Sequence, residues 1–347
     1  MSKPHTPLQQ TITQQMSTQQ MSTQQTSKSQ PGRARRRSTF RLFFAIAAGA
    51  FAAPALVHAQ ARPVLRIGYQ KYGTLTLLKG RGTLDKRLAA QGIDVRWTEF
   101  PAGPVLLEGL NVGSIDIGSV GEAPPIFAQA AGASLVYIGN EPPSPGSEAI
   151  VVPKGSTLRT VADLKGKKVA LNKGSNVHYL LLKALEKAGL AYTDVQTVFL
   201  PPADARAAFE RGSVDAWAIW DPFLAAAEKQ IGARVLADGR GLVANYQFYL
   251  ASRSYATQRQ DIVRIVLEEL AATDDWGRDN PQQVAALLAT QTGLEQDVVA
   301  LAASRYAYGV KPVGPGVIAD QQKVADAFAK LKLIPKPISV RDALLSP

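Results

Sequence analysis

Residues 168–190 read KVALNKGSNVHYLLLKALEKAGL. The stretch decides the fold class because one periodicity gives way to another inside it. A short apolar segment, residues 168–172, has the length and Val/Ala/Leu content of a buried strand. Four polar or small residues follow, Lys173-Gly174-Ser175-Asn176. From there Val177, Leu180, Leu181, Ala184, Leu185 and Ala188 recur at helical spacing, and Gly189 is placed to stop the helix. A strand that turns through small residues into an amphipathic helix is half of a βαβ unit. The loop resembles a phosphate-binding turn, but it lacks the two glycines five apart followed by Lys-Ser/Thr that a nucleotide loop needs.

Worked outward, the same alternation fills two thirds of the chain. Strands are predicted at 64–69, 94–100, 116–120, 134–139, 148–153, 168–172, 195–200, 215–220, 233–237 and 247–252. Beyond residue 258 the periodicity is helical throughout. The expected class is therefore α/β, with two largely parallel sheets and a helical C-terminal part rather than one ten-stranded sheet. The Pro/Gly-rich NEPPSPGS (140–147) and the segment GRGLVANY (239–246) mark two crossings between lobes. The expected division gives residues 60–151 and 249–347 to lobe I and 152–248 to lobe II, with the double crossing as hinge.

Charge and composition narrow the function. The formal charge of +11 suggests a nucleic-acid partner, yet seven of the 39 Lys and Arg residues and no acid fall in residues 1–59, leaving 32 bases against 28 acids. No basic cluster interleaved with aromatics remains, so nucleic acid is not an expected partner. Residues 1–31 form a Gln/Ser/Thr repeat too polar to bury a core and are expected to be disordered. RARRRSTFR, the apolar LFFAIAAGAFAAPALV and the small-residue end at Ala59 then have the order of an export signal, with cleavage near Ala59. The chain contains no cysteine and, beyond residue 59, one histidine, His178. Thiol catalysis, disulfides and multi-histidine zinc sites are excluded for that part.

In an open α/β sheet, ligands bind beyond the carboxyl ends of strands, where helix N-termini point. Four junctions qualify. Strand 64–69 runs into Gln70-Lys71-Tyr72-Gly73, strand 116–120 into Gly121-Glu122-Ala123-Pro124-Pro125, strand 168–172 into Gly174-Ser175-Asn176, and strand 215–220 into Trp220-Asp221-Pro222. Unpaired first-turn N–H groups converging there suit a compact anion. Each residue also has a structural reading: Lys71 as a solvated charge, Glu122 as a helix cap, His178 as a packing residue, Asp221 as an N-cap. Trp217 and Trp220 are three apart on a period of two, so they face opposite sides; Trp217 is expected in the core and Trp220 at the gap.

The blocks RIGYQK, EFPAGPVLLEGLNVGSIDIGSVGEAPPIFAQAAGA, TVADLKGKKVALNKGS, LPPADARAAFERGSVDAWAIWDPF and FYLASR, in this order, resemble the periplasmic aliphatic sulfonate-binding proteins of ABC transporters, within the wider sulfonate, taurine and nitrate group. The resemblance runs over nearly all of residues 64–345. It implies a type II periplasmic-binding-protein fold, a monomeric receptor that closes on an alkanesulfonate, and delivery to a membrane permease with a cytoplasmic ATPase. It implies no cofactor, no metal and no catalysis. Carried over by position, the ligand-binding candidates are Gln70, Lys71, Gly121, Glu122, Gly174, Ser175, Asn176, His178, Trp220 and Asp221. Tyr72 stands where the family usually has a small residue, and Asn245-Tyr246-Gln247 also departs from its pattern; both bear on which tail is accepted. The alternatives are a receptor for taurine, nitrate or a sulfate ester on the same fold, and a pyrimidine-synthase-like enzyme.

Overall fold

Short apolar runs, most buried on both faces, form ten strands, and the chain sorts them into two sheets. The computed structural model describes residues 62–345; the N-terminal repeat and export signal expected above lie outside the described residues. The strands are β1 (Val64–Tyr69), β2 (Asp94–Glu99), β3 (Ile117–Gly121), β4 (Leu135–Asn140), β5 (Glu148–Val152), β6 (Lys168–Leu171), β7 (Gln196–Phe199), β8 (Ala216–Trp220), β9 (Arg234–Asp238) and β10 (Gln247–Ser252). One sheet has the order β2-β1-β3-β10-β4, the other β7-β6-β8-β5-β9.

Within each sheet four strands run the same way. The fifth, β10 in the first sheet and β5 in the second, is antiparallel to both of its neighbours. Each of these is the strand entered directly from a crossing, so the chain arrives from the cleft side and must run away from it. The membership of β5 corrects one expected boundary. Residues 148–151, assigned above to lobe I, hydrogen-bond into the second sheet beside β8, which places the first crossing between Asn140 and Glu148. Likewise β10 begins at Gln247, so Gln247 and Phe248 lie in the first sheet.

Helices cover both faces of each sheet. On the first sheet, α3 (Gly103–Asn111), α4 (Ala123–Ala130) and α12 (Pro315–Lys330) bury Leu106, Ile126 and Phe328 against one side. On the other side α1 (Thr74–Arg81), α2 (Thr83–Ala89), α8 (Arg253–Gln258) and α9 (Gln260–Asp279) bury Leu78, Leu84, Ala256 and Val266. The second sheet carries α5 (Asn176–Lys187) on one face and α6 (Pro202–Glu210) with α7 (Phe223–Ile231) on the other. Each fully buried Leu or Val contributes about 1.5–3 kcal/mol of transfer free energy. The closing pair α10 (Pro281–Thr292) and α11 (Gln296–Ser304) packs on α1 and on α7.

The α5 unit behaves as its sequence dictates. Val177, Leu180, Leu181, Ala184 and Leu185 are buried as one face. Gly189 adopts φ +71°, its N–H donates to the Glu186 carbonyl at 3.1 Å, and the Leu190 N–H donates to the Leu185 carbonyl at 2.9 Å. This is the paired arrangement that satisfies the last carbonyls of a helix. Among the described residues, no helix is long and apolar enough to cross a membrane.

Candidate functional site

The carboxyl ends of β1, β3 and β8 and the loop after β6 open on one cavity of about 60 Å³ between the two sheets. Gln70, Gly121, Ser175, Asn176, Trp220 and Asp221 contribute to its wall, six of the ten candidates read from the sequence. The loop after β6 is shaped by Gly174, at φ +73°, a conformation costly for side-chain-bearing residues. It turns the chain so that Ser175 takes the N-cap position of α5 in extended geometry, φ −89° and ψ 173°. The Ser175 hydroxyl donates to the Asn172 carbonyl at 2.7 Å and so does not cap its own helix. In the first turn of α5 the His178 N–H donates back to the Ser175 carbonyl at 3.0 Å, which leaves the Asn176 and Val177 N–H groups as the ones without an intrahelical acceptor.

Asn176 crosses the cleft. Its Oδ1 accepts the Ala123 N–H at 3.1 Å at the start of α4, and its amide donates to Asn245 Oδ1. Gly121 is what permits the crossing, since a Cβ there would lie 2.1 Å from Asn176 Nδ2. Asn245 in turn donates to the Ser144 carbonyl at 2.9 Å and to Ser147 Oγ at 3.0 Å, which ties the two crossings together. One side-chain chain thus joins α4, α5 and both crossings.

The remaining wall comes from Tyr72, Gly103, Pro124, Ser144, Ser147, Asn245, Gln247 and Tyr306. None was among the ligand-binding candidates, although Tyr72, Asn245 and Gln247 were marked as bearing on the tail; two different reasons account for Ser144, Ser147, Asn245, Gln247 and Tyr306. Ser144, Ser147, Asn245 and Gln247 sit at or just before the starts of antiparallel β5 and β10, so the rule that ligands lie at strand carboxyl ends passes over them. The polar residues in the two crossings were the signal that would have found them. Tyr306 arrives from the C-terminal helices and leaves no mark in the strand–helix pattern. The Trp220 indole N–H and the Gln247 amide find no partner among the described residues and are free to donate to a ligand.

Four candidates lie elsewhere. Lys71 is partly exposed, faces Glu99 3.8 Å away and is not part of the cavity wall. The Gly174 N–H is taken by His178 Nδ1 at 3.3 Å. His178 is fully buried; its Nε2 meets the Tyr192 hydroxyl at 2.8 Å, and its ring stacks on Phe127. Burial, aided by Lys173, pushes its pKa down to about 4, so it is a neutral packing residue that holds the loop rather than a ligand. Glu122 is buried behind the wall and accepts the Tyr246 N–H at 3.2 Å. Burial raises its pKa to about 7 against the lowering effect of the Tyr246 and Asn245 N–H groups.

Asp221 combines the two roles weighed for it. Its Oδ1 accepts the Ala225 N–H at 3.0 Å inside the first turn of α7, as a cap does, and it also forms part of the cavity wall. Burial raises its pKa to about 7, opposed by Arg305, whose Nη1 lies 3.4 Å from Oδ1. Trp217 is in the core and Trp220 at the cavity, as the strand period requires. Among the described residues no group of three or more His, Cys, Asp or Glu side chains could hold a metal.

This geometry has close counterparts. Residues 88–289 match the family model described as NMT1/THI5 like. An Escherichia coli K12 protein named for binding aliphatic sulfonates is 50% identical over 294 residues, 84% of this chain and 92% of that protein. The chain belongs to the aliphatic sulfonate-binding proteins. Its fold is theirs as well. The alkanesulfonate-binding protein of Xanthomonas axonopodis pv. citri, solved bound to MOPS, superimposes with a TM-score of 0.79 at 46% identity, covering 83% of this chain and 99% of that one. The periplasmic aliphatic sulphonate binding protein of Escherichia coli gives 0.75 at 50% identity, covering 82% and 92%. A nitrate-binding protein from Synechocystis shares the fold alone, at 12% identity and a TM-score of 0.63. For an aliphatic sulfonate-binding protein, the expected two-sheet α/β architecture and a binding rather than catalytic role are what these comparisons support.

Proposed function

We propose that this protein is an extracytoplasmic receptor that captures alkanesulfonates and hands them to an ABC permease driven by a cytoplasmic ATPase, with no chemistry of its own. The observation that carries the proposal is the cavity between the sheets, where Gln70 and Gly121 from one side meet Ser175, Asn176 and Trp220 from the other around an α-helix N-terminus. A sulfonate is ionised at every biological pH. It therefore calls for fixed N–H and O–H donors rather than for a titrating partner, and a helix N-terminus supplies about 0.3–1 kcal/mol when exposed and up to about 2 when partly buried. The side chains of Asn176, Trp220 and Gln247 add donors without a full positive charge, the Ser175 hydroxyl proton being committed to the Asn172 carbonyl. Trp220, Tyr72 and Tyr306 cover the organic tail, at about 25 cal/mol for each Å² of apolar surface withdrawn from water.

The two crossings act as the hinge between a lobe built on the first sheet and a lobe built on the second. The chain works as a monomer in the periplasm, exported by the signal ending near Ala59, which fits the family it belongs to. Titration calorimetry on residues 60–347 with methane-, butane- and benzenesulfonate, taurine, nitrate and sulfate tests the proposal. Heat from the sulfonates and none from nitrate or sulfate is expected; heat from nitrate or sulfate alone, or turnover of any compound, would overturn it.

A further inference from the structure

We infer that Arg305 is a specificity-determining residue: by neutralising Asp221 from outside the cavity, it makes the receptor prefer alkanesulfonates over amino-bearing sulfonates. The inference rests on the sulfonate reading of the cavity and names the class of sulfonate within it. The wall presents a conflict of charge. Asp221 is its one acid, and the wall holds no Lys, Arg or His. A cavity that takes a permanent anion thus carries a single formal charge, of the same sign as its ligand. Unpaired, a buried carboxylate there would repel the sulfonate and attract any cation the ligand carries.

Arg305 resolves the conflict from behind the wall, of which it is not a part. It directly follows α11, whose Val298 and Ala302 pack with Ala225 and Ala226 of α7. That packing delivers the guanidinium to Asp221: Nη1 lies 3.4 Å from Oδ1 and 3.5 Å from Oδ2, while Nη2 donates to Glu228 Oε2 at 2.6 Å. The two acids differ in their surroundings. Asp221 is fully buried, whereas the Glu228 side chain is 24% exposed and has water to screen it. Among the described residues Arg305 is the cation paired with Asp221. The other groups that face this carboxylate are the Ala225 N–H, which donates at 3.0 Å, and the Tyr72 phenol of the wall, held well above its usual range by burial and by the charge of Asp221. A sulfonate ending in a methyl group therefore meets a wall whose one charge is already balanced. A sulfonate ending in an ammonium must give up water around that charge and finds the only acid of the wall already paired. Without the guanidinium, Asp221 becomes the partner that the ammonium lacks.

Taurine and propane-1-sulfonate test this as a pair, because they have the same length and differ by an ammonium in place of a methyl. Affinities of the mature protein for both are measured by calorimetry at pH 8, taurine by displacement of propanesulfonate, for wild type, Arg305→Gln, Asp221→Asn and Arg305→Gln/Asp221→Asn. Wild type is expected to bind propanesulfonate roughly tenfold tighter or more. Arg305→Gln is expected to move that ratio roughly tenfold or more towards taurine, the ammonium taking the place of the guanidinium. Asp221→Asn leaves Arg305 without its buried partner and is expected to move the ratio the other way. In the double variant both charges are gone, and the ratio returns to within about threefold of wild type. The ratio is read rather than either affinity, because a purely structural role for Arg305, such as holding α11 on α7, weakens both ligands alike. Wild type that binds taurine as tightly as propanesulfonate, or an unmoved ratio in a folded Arg305→Gln, would overturn the inference. Should Arg305→Gln not fold, an Asp221→Asn ratio that is unmoved or moves towards taurine does so. Failure of wild type to bind either sulfonate overturns the underlying reading instead, a result plainly different from binding both without preference.

Discussion

Replacing Gly121 by alanine adds one methyl group, and the structure locates its effect in the bond network across the cleft. The new Cβ would lie 2.1, 2.2 and 2.3 Å from Nδ2, Oδ1 and Cγ of Asn176, far inside contact distance, so the amide must swing away. Two hydrogen bonds go with it, the one accepted from the Ala123 N–H at 3.1 Å and the one donated to Asn245. At about 0.5–1.5 kcal/mol net for each, the loss is about 1–3 kcal/mol. Ala123 starts α4 on the first sheet and Asn176 starts α5 on the second, so, on the proposed reading of the crossings as a hinge, the loss falls on the closed, ligand-bound form. Sulfonate affinity measured by calorimetry should drop roughly 5- to 150-fold, while the melting temperature without ligand changes by only a few degrees. A double-mutant cycle gives the sharper criterion. Asn176→Ala removes the same two bonds, so in Gly121→Ala/Asn176→Ala the methyl has nothing left to displace, and the double variant should bind no more weakly than Asn176→Ala alone. An affinity of Gly121→Ala within twofold of wild type, or losses that multiply in the double variant, would refute the reasoning.

Three other outcomes are expected. Lys71→Ala should leave sulfonate affinity within twofold, because its exposed pairing with Glu99 at 3.8 Å contributes less than about 1 kcal/mol and its charge lies outside the cavity; a tenfold loss in calorimetry would return Lys71 to the site. His178 is held near 4 against an ordinary value of 6.5, so the unfolded chain takes up its proton first and stability is lost as pH falls from 6.5 towards 4, by about 3 kcal/mol at most. His178→Gln should flatten that part of the stability–pH curve in urea titrations, and an unchanged slope would count against a buried neutral imidazole. Glu122 is raised from 4.5 to about 7, so the folded state holds its proton longer and stability is lost as pH rises from 4.5 through 7. Glu122→Gln should therefore gain stability relative to wild type at pH 8 compared with pH 5; the reverse order, read from chemical denaturation, would show the carboxylate to be favourably solvated.

What could be read from the sequence and what could not have separate physical causes. The ten strands were legible because most are short apolar runs bounded by turn residues and β2 alternates Val95 and Trp97 with polar residues, and α5 because its apolar positions, its small-residue start and Gly189 agree on one answer. The misplaced boundary has a different origin: Glu148–Val152 has the same apolar character whichever sheet receives it. Pairing, which depends on residues some seventy positions away in β8, settles the matter. The same limit explains the site. Gln70, Gly121, Ser175, Asn176, Trp220 and Asp221 follow strands that run towards the cleft, so strand direction alone brings them there. Ser144, Ser147, Asn245 and Gln247 precede strands that run away from it, and reach the cavity only because β5 and β10 are antiparallel insertions. Antiparallel entry is in turn what a double crossing demands, since a chain passing from one sheet to the other across the cleft starts its next strand at the cleft edge. A double crossing of this kind therefore adds cavity-facing residues by construction. Its polar side chains, here tied together by Asn245 to Ser144 and Ser147, lie where binding and bending can act on the same hydrogen bonds.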